Sequence, residues 1–324
     1  MLFLYAAFTL IYGLLIMASA PFSIIGSDYP PDDDPDSSIS APESNQPNTS
    51  SPPSSPPSPP APIPTKDPSN SDYVLLRMRP SDVSRGSLIL INHSHSFELL
   101  DNNDLVAISD FITPSYSLIT PGAMLSSIVI NPLNEMMDAF FEETGNSTVA
   151  IRSAYRSRAG QQQVFEHYVR LVGRAEAQRW ASLPGYSEHQ AGLAVDLGRS
   201  VNGETYAFTG TGIYSWFNEN CHRFGFILRY PPDKTEITLI HYEPWHYRFV
   251  GNPHAYIIYT NNWSLEEYIE ILFGYSRENP FKFTHNGIYY EIYFTVDMDI
   301  RLPFDSEFDV SGNNINGFIV TIMR

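Results

Sequence analysis

Two short stretches hold the residues most able to do chemistry: "SEHQAGLAVDLG", with His189 and Asp196, and "HYEPWHYRF", with Glu243 and His246. A catalytic zinc site needs three nitrogen or carboxylate ligands and one open position for water. His189, Asp196 and His246 could supply the three. Glu243 would then remain beside the metal as a carboxylate able to take a proton from water and pass it to a leaving amine. Gly192 and Ala194 are small and would allow close backbone approach near the metal. Neither stretch decides the matter alone, because a chain with 9 histidines and 36 acidic residues contains such spacings by accident.

Folded sequence must hold these groups, and it begins near Tyr73. "GSLILIN" and "DLVAIS", within residues 86–110, are branched runs divided by polar turns and predict a strand pair. "NPLNEMMDAFFEETG" predicts a helix with Asn131 as cap, Pro132 in the first turn, apolar positions 133, 136, 137, 140 and 141, and Gly145 as the stop. "STVAIRSAY" predicts a strand and "QQQVFEHYVRLV" a helix, and "AGLAVDLG" then carries Asp196 on a strand out of a loop that holds His189. A helix around Cys221 follows, apolar at 213, 216, 217, 221 and 224, and then strands in "FILRY", "EITLIHY" and "WHYRFV". The single cysteine reads as a packed core thiol. In the last part of the chain, "NWSLEEYIEILFGY" opens with a capping box, Ser264 and Glu267, and predicts a helix, while "GIYYEIYFTV" and "GFIVTIM" predict strands. The order is mixed α+β, an antiparallel sheet with flanking helices and a small β-rich C-terminal appendage, and not a regular βαβ repeat.

Composition narrows the setting. The 324 residues carry a formal charge of −17 with no basic stretch to neutralise phosphates, which excludes a nucleic-acid binder. No protein partner is evident. The first 25 residues lack charged side chains and are long enough to cross a bilayer core, so they read as an uncleaved membrane anchor. Cleavage after "ASA" at 18–20 is the alternative, in a poor context because Pro21 follows. Residues 26–72 are rich in proline, serine and acid and read as a disordered spacer, which at roughly 3.1 Å per residue reaches at most about 140 Å.

Other hydrolytic chemistries fit poorly. No G-x-S-x-G elbow is present, and His222, adjacent to Cys221 on a helix, points elsewhere. The stretches "SAYRS", "PGYSEHQAGLAVDLG", "FGFILRYP" and "EITLIHYEPWHYRFVG" together resemble the successive motifs of the VanY-type D-alanyl-D-alanine carboxypeptidases, zinc peptidases of the bacterial cell wall. The pattern S-x-H-x-x-G-x-A-x-D followed by E-x-W-H is met at Ser187, His189, Gly192, Ala194, Asp196, Glu243, Trp245 and His246.

The resemblance covers roughly residues 73–256, which it marks as the zinc carboxypeptidase domain, with residues 257–324 as a helix plus β-rich appendage. It implies that His189, Asp196 and His246 bind Zn2+ and that Glu243 is the general base. Arg156 would bind a substrate carboxylate or a developing oxyanion. Gln161, Ser187 and Trp245 would contact substrate, whereas His241 falls outside the ligand pattern. The implied substrate is the peptidoglycan stem peptide, cut at its D-Ala-D-Ala bond on the extracellular face of a bacterial membrane. An L,D-carboxypeptidase trimming tetrapeptide stems is the alternative within the enzyme class. A non-catalytic wall-binding module is the alternative outside it, and it would have no need of Glu243.

Overall fold

The computed structural model describes residues 62–98 and 104–324, so the stretch read as an anchor and most of the spacer lie outside the described residues. The first half holds β1 (Thr65–Lys66), β2 (Tyr73–Arg77), β3 (Leu105–Ala107), β4 (Ser117–Leu118), β5 (Met124–Ser126), α1 (Ser127–Thr144), β6 (Val149–Ser153), α2 (Arg158–Val172) and α3 (Arg174–Trp180). Next come β7 (Ala194–Val201), β8 (Glu204–Ala207), α4 (Ser215–Asn220), β9 (Phe226–Leu228), α5 (Thr235–Thr238) and β10 (His246–Phe249). The C-terminal part holds α6 (His254–Asn261), α7 (Leu265–Leu272), β11 (Phe281–His285), β12 (Ile288–Thr295), β13 (Asp299–Pro303), β14 (Glu307–Gly312) and β15 (Phe318–Met323). The fold class is α+β, as the order of elements predicts.

The central sheet runs β4-β6-β7-β10-β9, with β8 also paired to β7, and only the β4–β6 pairing is parallel. Side chains alternate across a strand, and here the alternation divides structure from chemistry. Val195 and Leu197 on β7, and Tyr247 and Phe249 on β10, join the core that includes Leu133, Met137 and Phe140 of α1. Their neighbours Asp196, His246 and Arg248 therefore point to the other face. Cys221 is buried in the same core, and burial pushes its thiol up to about 12, the state of an inert packed thiol.

Several elements differ from the sequence reading. Helix α1 starts at Ser127, so Asn131 is not its cap, and Pro132 lies inside the second turn. Burial of Val129 and Ile130 in that first turn outweighs the lost hydrogen bond at proline. Gly145 ends the helix in the left-handed conformation at φ 70°, as expected. "EITLIHY" is not a strand: α5 forms at 235–238, and the chain then turns at Leu239, whose φ is +60°. "GSLILIN" does not pair with "DLVAIS"; β3 pairs with β5 instead, while Leu88 and Leu90 bond to Ser311 and Asn313.

The C-terminal part supplies a four-stranded antiparallel sheet, β11-β12-β15-β14, and sends β13 back to pair with β2. Helix α7 has the expected capping box: Glu267 N donates to Ser264 Oγ at 3.2 Å, and Ser264 N donates to Glu267 Oε2 at 2.7 Å. Its Leu265, Tyr268, Ile269 and Leu272 are buried, each stabilising by about 1.5–3 kcal/mol. Between α7 and β15 sits His254, whose Nδ1 is 2.7 Å from the Tyr268 hydroxyl and whose Nε2 is 3.1 Å from Thr321 Oγ1.

Burial pushes the His254 imidazole down to about 3, so the ring stays neutral, with one N–H and one lone pair for its two hydroxyl partners. The unfolded chain takes up a proton near 6.5 and the folded chain does not. Stability from this residue is therefore full above about pH 6.5 and falls at about 1.4 kcal/mol per unit as pH drops towards the folded value. Urea unfolding measured between pH 7 and 4 is expected to show a shallower acid slope in His254→Gln than in the parent, by about that amount. Parallel slopes would show that the ring is not held neutral.

Candidate metal centre

Strands β7 and β10 pair so that Asp196 and His246 are direct partners across the ladder. The Asp196 Oδ1 to His246 Nδ1 distance is 2.9 Å. Immediately before β10, His246 N donates to Glu243 O at 3.2 Å, closing a turn with Pro244 at its second position. That turn brings two side chains three residues apart into one site: Glu243 Oε2 lies 3.7 Å from His246 Nδ1.

His189 enters from a 3-10 turn, Glu188–Ala191, ahead of β7. Its Nδ1 is 2.6 Å from the carbonyl of Ala154, which only accepts, so Nδ1 carries the proton and Nε2 keeps its lone pair. That Nε2 is 3.1 Å from Asp196 Oδ2. The turn ends at Gly192, φ +67°, where an added Cβ would meet Ser126 N at 2.8 Å and Leu105 Cδ2 at 2.7 Å. Glycine is needed there to let the β5 backbone approach, not to make room for a metal.

Ligand atoms of His189, Asp196 and His246 lie within 4.8 Å of one another, and all three residues are mostly buried. The electrostatics suit a cation. Burial would raise the Asp196 carboxyl, but His189 and His246 outweigh it and hold it well below the usual carboxylate range. Burial lowers the His246 ring, yet hydrogen bonds to Asp196 and Glu188 lift it to about 10. Burial pushes Glu243 up to about 8, against the opposing pull of His246. Two imidazoles and a carboxylate converging beside the Glu243 carboxylate are a donor set suited to Zn2+.

Arg156 reaches the same place. Its Nη2 lies 3.7 Å from Asp196 Oδ2 and donates to Ser153 Oγ at 2.7 Å, and its Nη1 donates to Gln161 Oε1 at 3.0 Å. Gln161 is 1% exposed, with its Nε2 donating to Ser182 O at 2.7 Å. Ser187 is buried just before the 3-10 turn, and Trp245 is half-buried against the core. His241 lies apart from the cluster, bonded through Nε2 to Glu176 Oε1 at 2.7 Å and packed on Trp180.

Sequence reasoning did not find a buried charge chain behind His246. Glu188 Oε2 is 3.3 Å from His246 Nε2, and Glu188 Oε1 accepts from Arg229 Nε and Arg248 Nη1, each at 2.7 Å. Arg229 forms a two-pronged pair with Glu266 of α7, at 2.9 and 2.6 Å. A usable signal was present: an arginine inside each of the apolar runs "FILRY" and "HYRFV" must find a buried partner.

A family model described as D-alanyl-D-alanine carboxypeptidase, VanY, matches residues 122–252. A D-alanyl-D-alanine carboxypeptidase from Enterococcus faecium is 35% identical over 246 residues, covering 74% of this chain and 76% of that protein. The chain belongs to the VanY family of D-alanyl-D-alanine carboxypeptidases. A D-alanyl-D-alanine carboxypeptidase from Enterococcus faecalis is 36% identical over 197 residues, 58% of this chain and 67% of its own length. The solved structure of the vancomycin resistance D,D-dipeptidase VanXYg in complex with a D-Ala-D-Ala phosphinate analog is similar, with a TM-score of 0.69 and 31% identity over 78% of this chain and 99% of that one. The buried His-Asp-His cluster beside a carboxylate, in a chain of this family, is a zinc metallohydrolase site.

The full chain is expected to purify with about one zinc, and Asp196→Ala and His246→Ala to purify with almost none. Elemental analysis of matched preparations checks this. Zinc content equal to the parent's in both variants would place the metal elsewhere.

Proposed function

We propose that this chain is an exported D,D-carboxypeptidase that hydrolyses the terminal D-Ala-D-Ala bond of peptidoglycan stem peptides. The observation that carries the reading is the His189–Asp196–His246 cluster with Glu243 at its edge, in a chain 35% identical to a D-alanyl-D-alanine carboxypeptidase. His189 through Nε2, Asp196 and His246 through Nδ1 would hold the zinc. When bound, zinc supplies Lewis acidity that polarises the scissile carbonyl and makes water acidic enough to attack near neutral pH.

The chain's own residues do the rest. Glu243 accepts the proton of the attacking water and, as the C–N bond breaks, delivers it to the amine of the departing D-alanine. Its buried position strengthens this role, since little bulk water competes for the proton. Arg156 presents a fixed guanidinium to the substrate carboxylate or to the carbonyl oxygen as charge develops there. Gln161 and Ser153 fix that guanidinium, while Ser187 and Trp245 complete the wall against which the peptide end rests. The apolar first 25 residues and the acidic, proline-rich spacer would hold this domain outside a bacterial membrane within reach of the wall. Among the described residues no helix is long and apolar enough to cross a membrane.

The direct test is mass spectrometry of products from two synthetic stem peptides, one ending in D-Ala-D-Ala and one in a single D-Ala, incubated with the zinc-loaded chain. Loss of one alanine from the first alone supports the reading, and trimming of the second alone replaces it with L,D-carboxypeptidase activity. If neither is cut while zinc is bound, the carboxypeptidase reading fails. Glu243→Ala is expected to keep its zinc and to lose on the order of 10²- to 10⁴-fold in kcat. Turnover near that of the parent would remove Glu243 from the base role.

A further inference from the structure

We propose that Glu188, Arg229 and Glu266 are positioning residues for the metal ligand His246, so that helix α7, beyond the segment matched by the family model, is a working part of the metal centre. The proposal rests on the zinc reading of the His189–Asp196–His246 cluster. His246 can offer Nδ1 to a metal only if its other nitrogen carries the proton and the ring is held edge-on to the cleft. Glu188 does both: its Oε2, 3.3 Å from Nε2, accepts that proton's hydrogen bond.

The direction of the Glu188 carboxylate is set in turn by two guanidiniums on its other oxygen. Arg248 is locked by backbone, since its Nη2 donates to Ser87 O at 2.9 Å and Ile89 O at 2.8 Å. Among the described residues Arg229 has no such backbone lock. Its two terminal nitrogens are held by Glu266, the second residue of α7, and Asn92 Nδ2 steadies that carboxylate at 3.2 Å. The Glu188 and Arg229 side chains are fully buried, so no water can substitute for a lost partner.

Removing the Glu266 charge has two consequences of the same sign. It frees the Arg229 fork, so Glu188 loses one of the two donors that aim it at His246. It also leaves Arg229 uncompensated behind Glu188, which withdraws electron density from the His246 ring and weakens it as a ligand. The C-terminal part of the chain thereby bears on metal affinity without touching substrate.

The test compares zinc affinity in the full chain, by competition with a chromogenic zinc chelator, in the parent, Glu266→Gln, Tyr268→Phe and His246→Ala, with thermal melts run alongside. Glu266→Gln is expected to bind zinc about tenfold more weakly. Tyr268→Phe removes the hydroxyl against His254 on the same helix but leaves the charge chain whole, so its affinity should equal the parent's. Parental affinity in Glu266→Gln overturns the proposal, as does equal weakening in Tyr268→Phe, which would make the effect merely structural. Should Glu266→Gln fail to fold, Arg229→Lys, which keeps the charge but loses the fork, carries the same test with the same two outcomes. A parent that takes up no zinc, or a His246→Ala variant that keeps it, overturns the reading of the cluster itself, a result separate from either outcome at position 266.

Discussion

Asp196 faces His246 directly across an antiparallel ladder, and much of the cleft can be understood as what that one pairing demands. A carboxylate and an imidazole taken out of water lose several kcal/mol of solvation each unless other groups replace it. His189 and Arg156 come in from loops to serve Asp196, and Glu188 serves His246 from behind. Four carboxylates, Glu188, Asp196, Glu243 and Glu266, then share the site with three guanidiniums, those of Arg156, Arg229 and Arg248. The imbalance lies on the Asp196 side, where the only counter-charge the protein supplies besides Arg156 is a proton on an imidazole. A divalent cation held by His189, Asp196 and His246 would balance it.

The surrounding core keeps this arrangement rigid. The run Leu88-Ile89-Leu90-Ile91 belongs to no named strand, and its side chains alternate between two cores. Leu88 and Leu90 pack with α6, α7, β12 and β15, whereas Ile89 and Ile91 pack with α1 and the central sheet. The carbonyl of Ile89 in that run, and that of Ser87 just before it, are the ones that lock Arg248. The stitch between the two cores and the anchor for the charge chain thus lie in one continuous segment, residues 87–91. The β-rich C-terminal part is joined to the metal centre by packing and by hydrogen bonding at once.

The sequence made the metal-binding residues easy to read because ligand chemistry is local: H-x-x-G-x-A-x-D and E-x-W-H each fit within one turn and one strand. Strands β6, β7, β10, β12 and β15 were legible from runs of branched and aromatic residues, and α7 from its capping box. The failures have physical causes. "EITLIHY" has strand-like composition, yet its backbone turns at Leu239 so that His241 N can bond Arg179 O on α3. Pro132 looks like a helix start because proline favours the first turn, but tertiary burial of Val129 and Ile130 carried α1 further back. The charge chain was hidden because its members, at 188, 229, 248 and 266, meet only through the fold.

A charged chain behind a ligand is an expensive way to fill space, since a well-packed apolar group at a buried ion-pair site is often no less stable. An apolar side chain at position 188 would leave the His246 Nε2–H without an acceptor, and only the Nδ1 contact with Asp196 would then orient the ring. Glu188 holds the ring from the side opposite Asp196, and Arg229 and Arg248 keep it ionised and aimed. The buried arginines therefore act on the metal centre through geometry: they fix the carboxylate that orients the His246 ring.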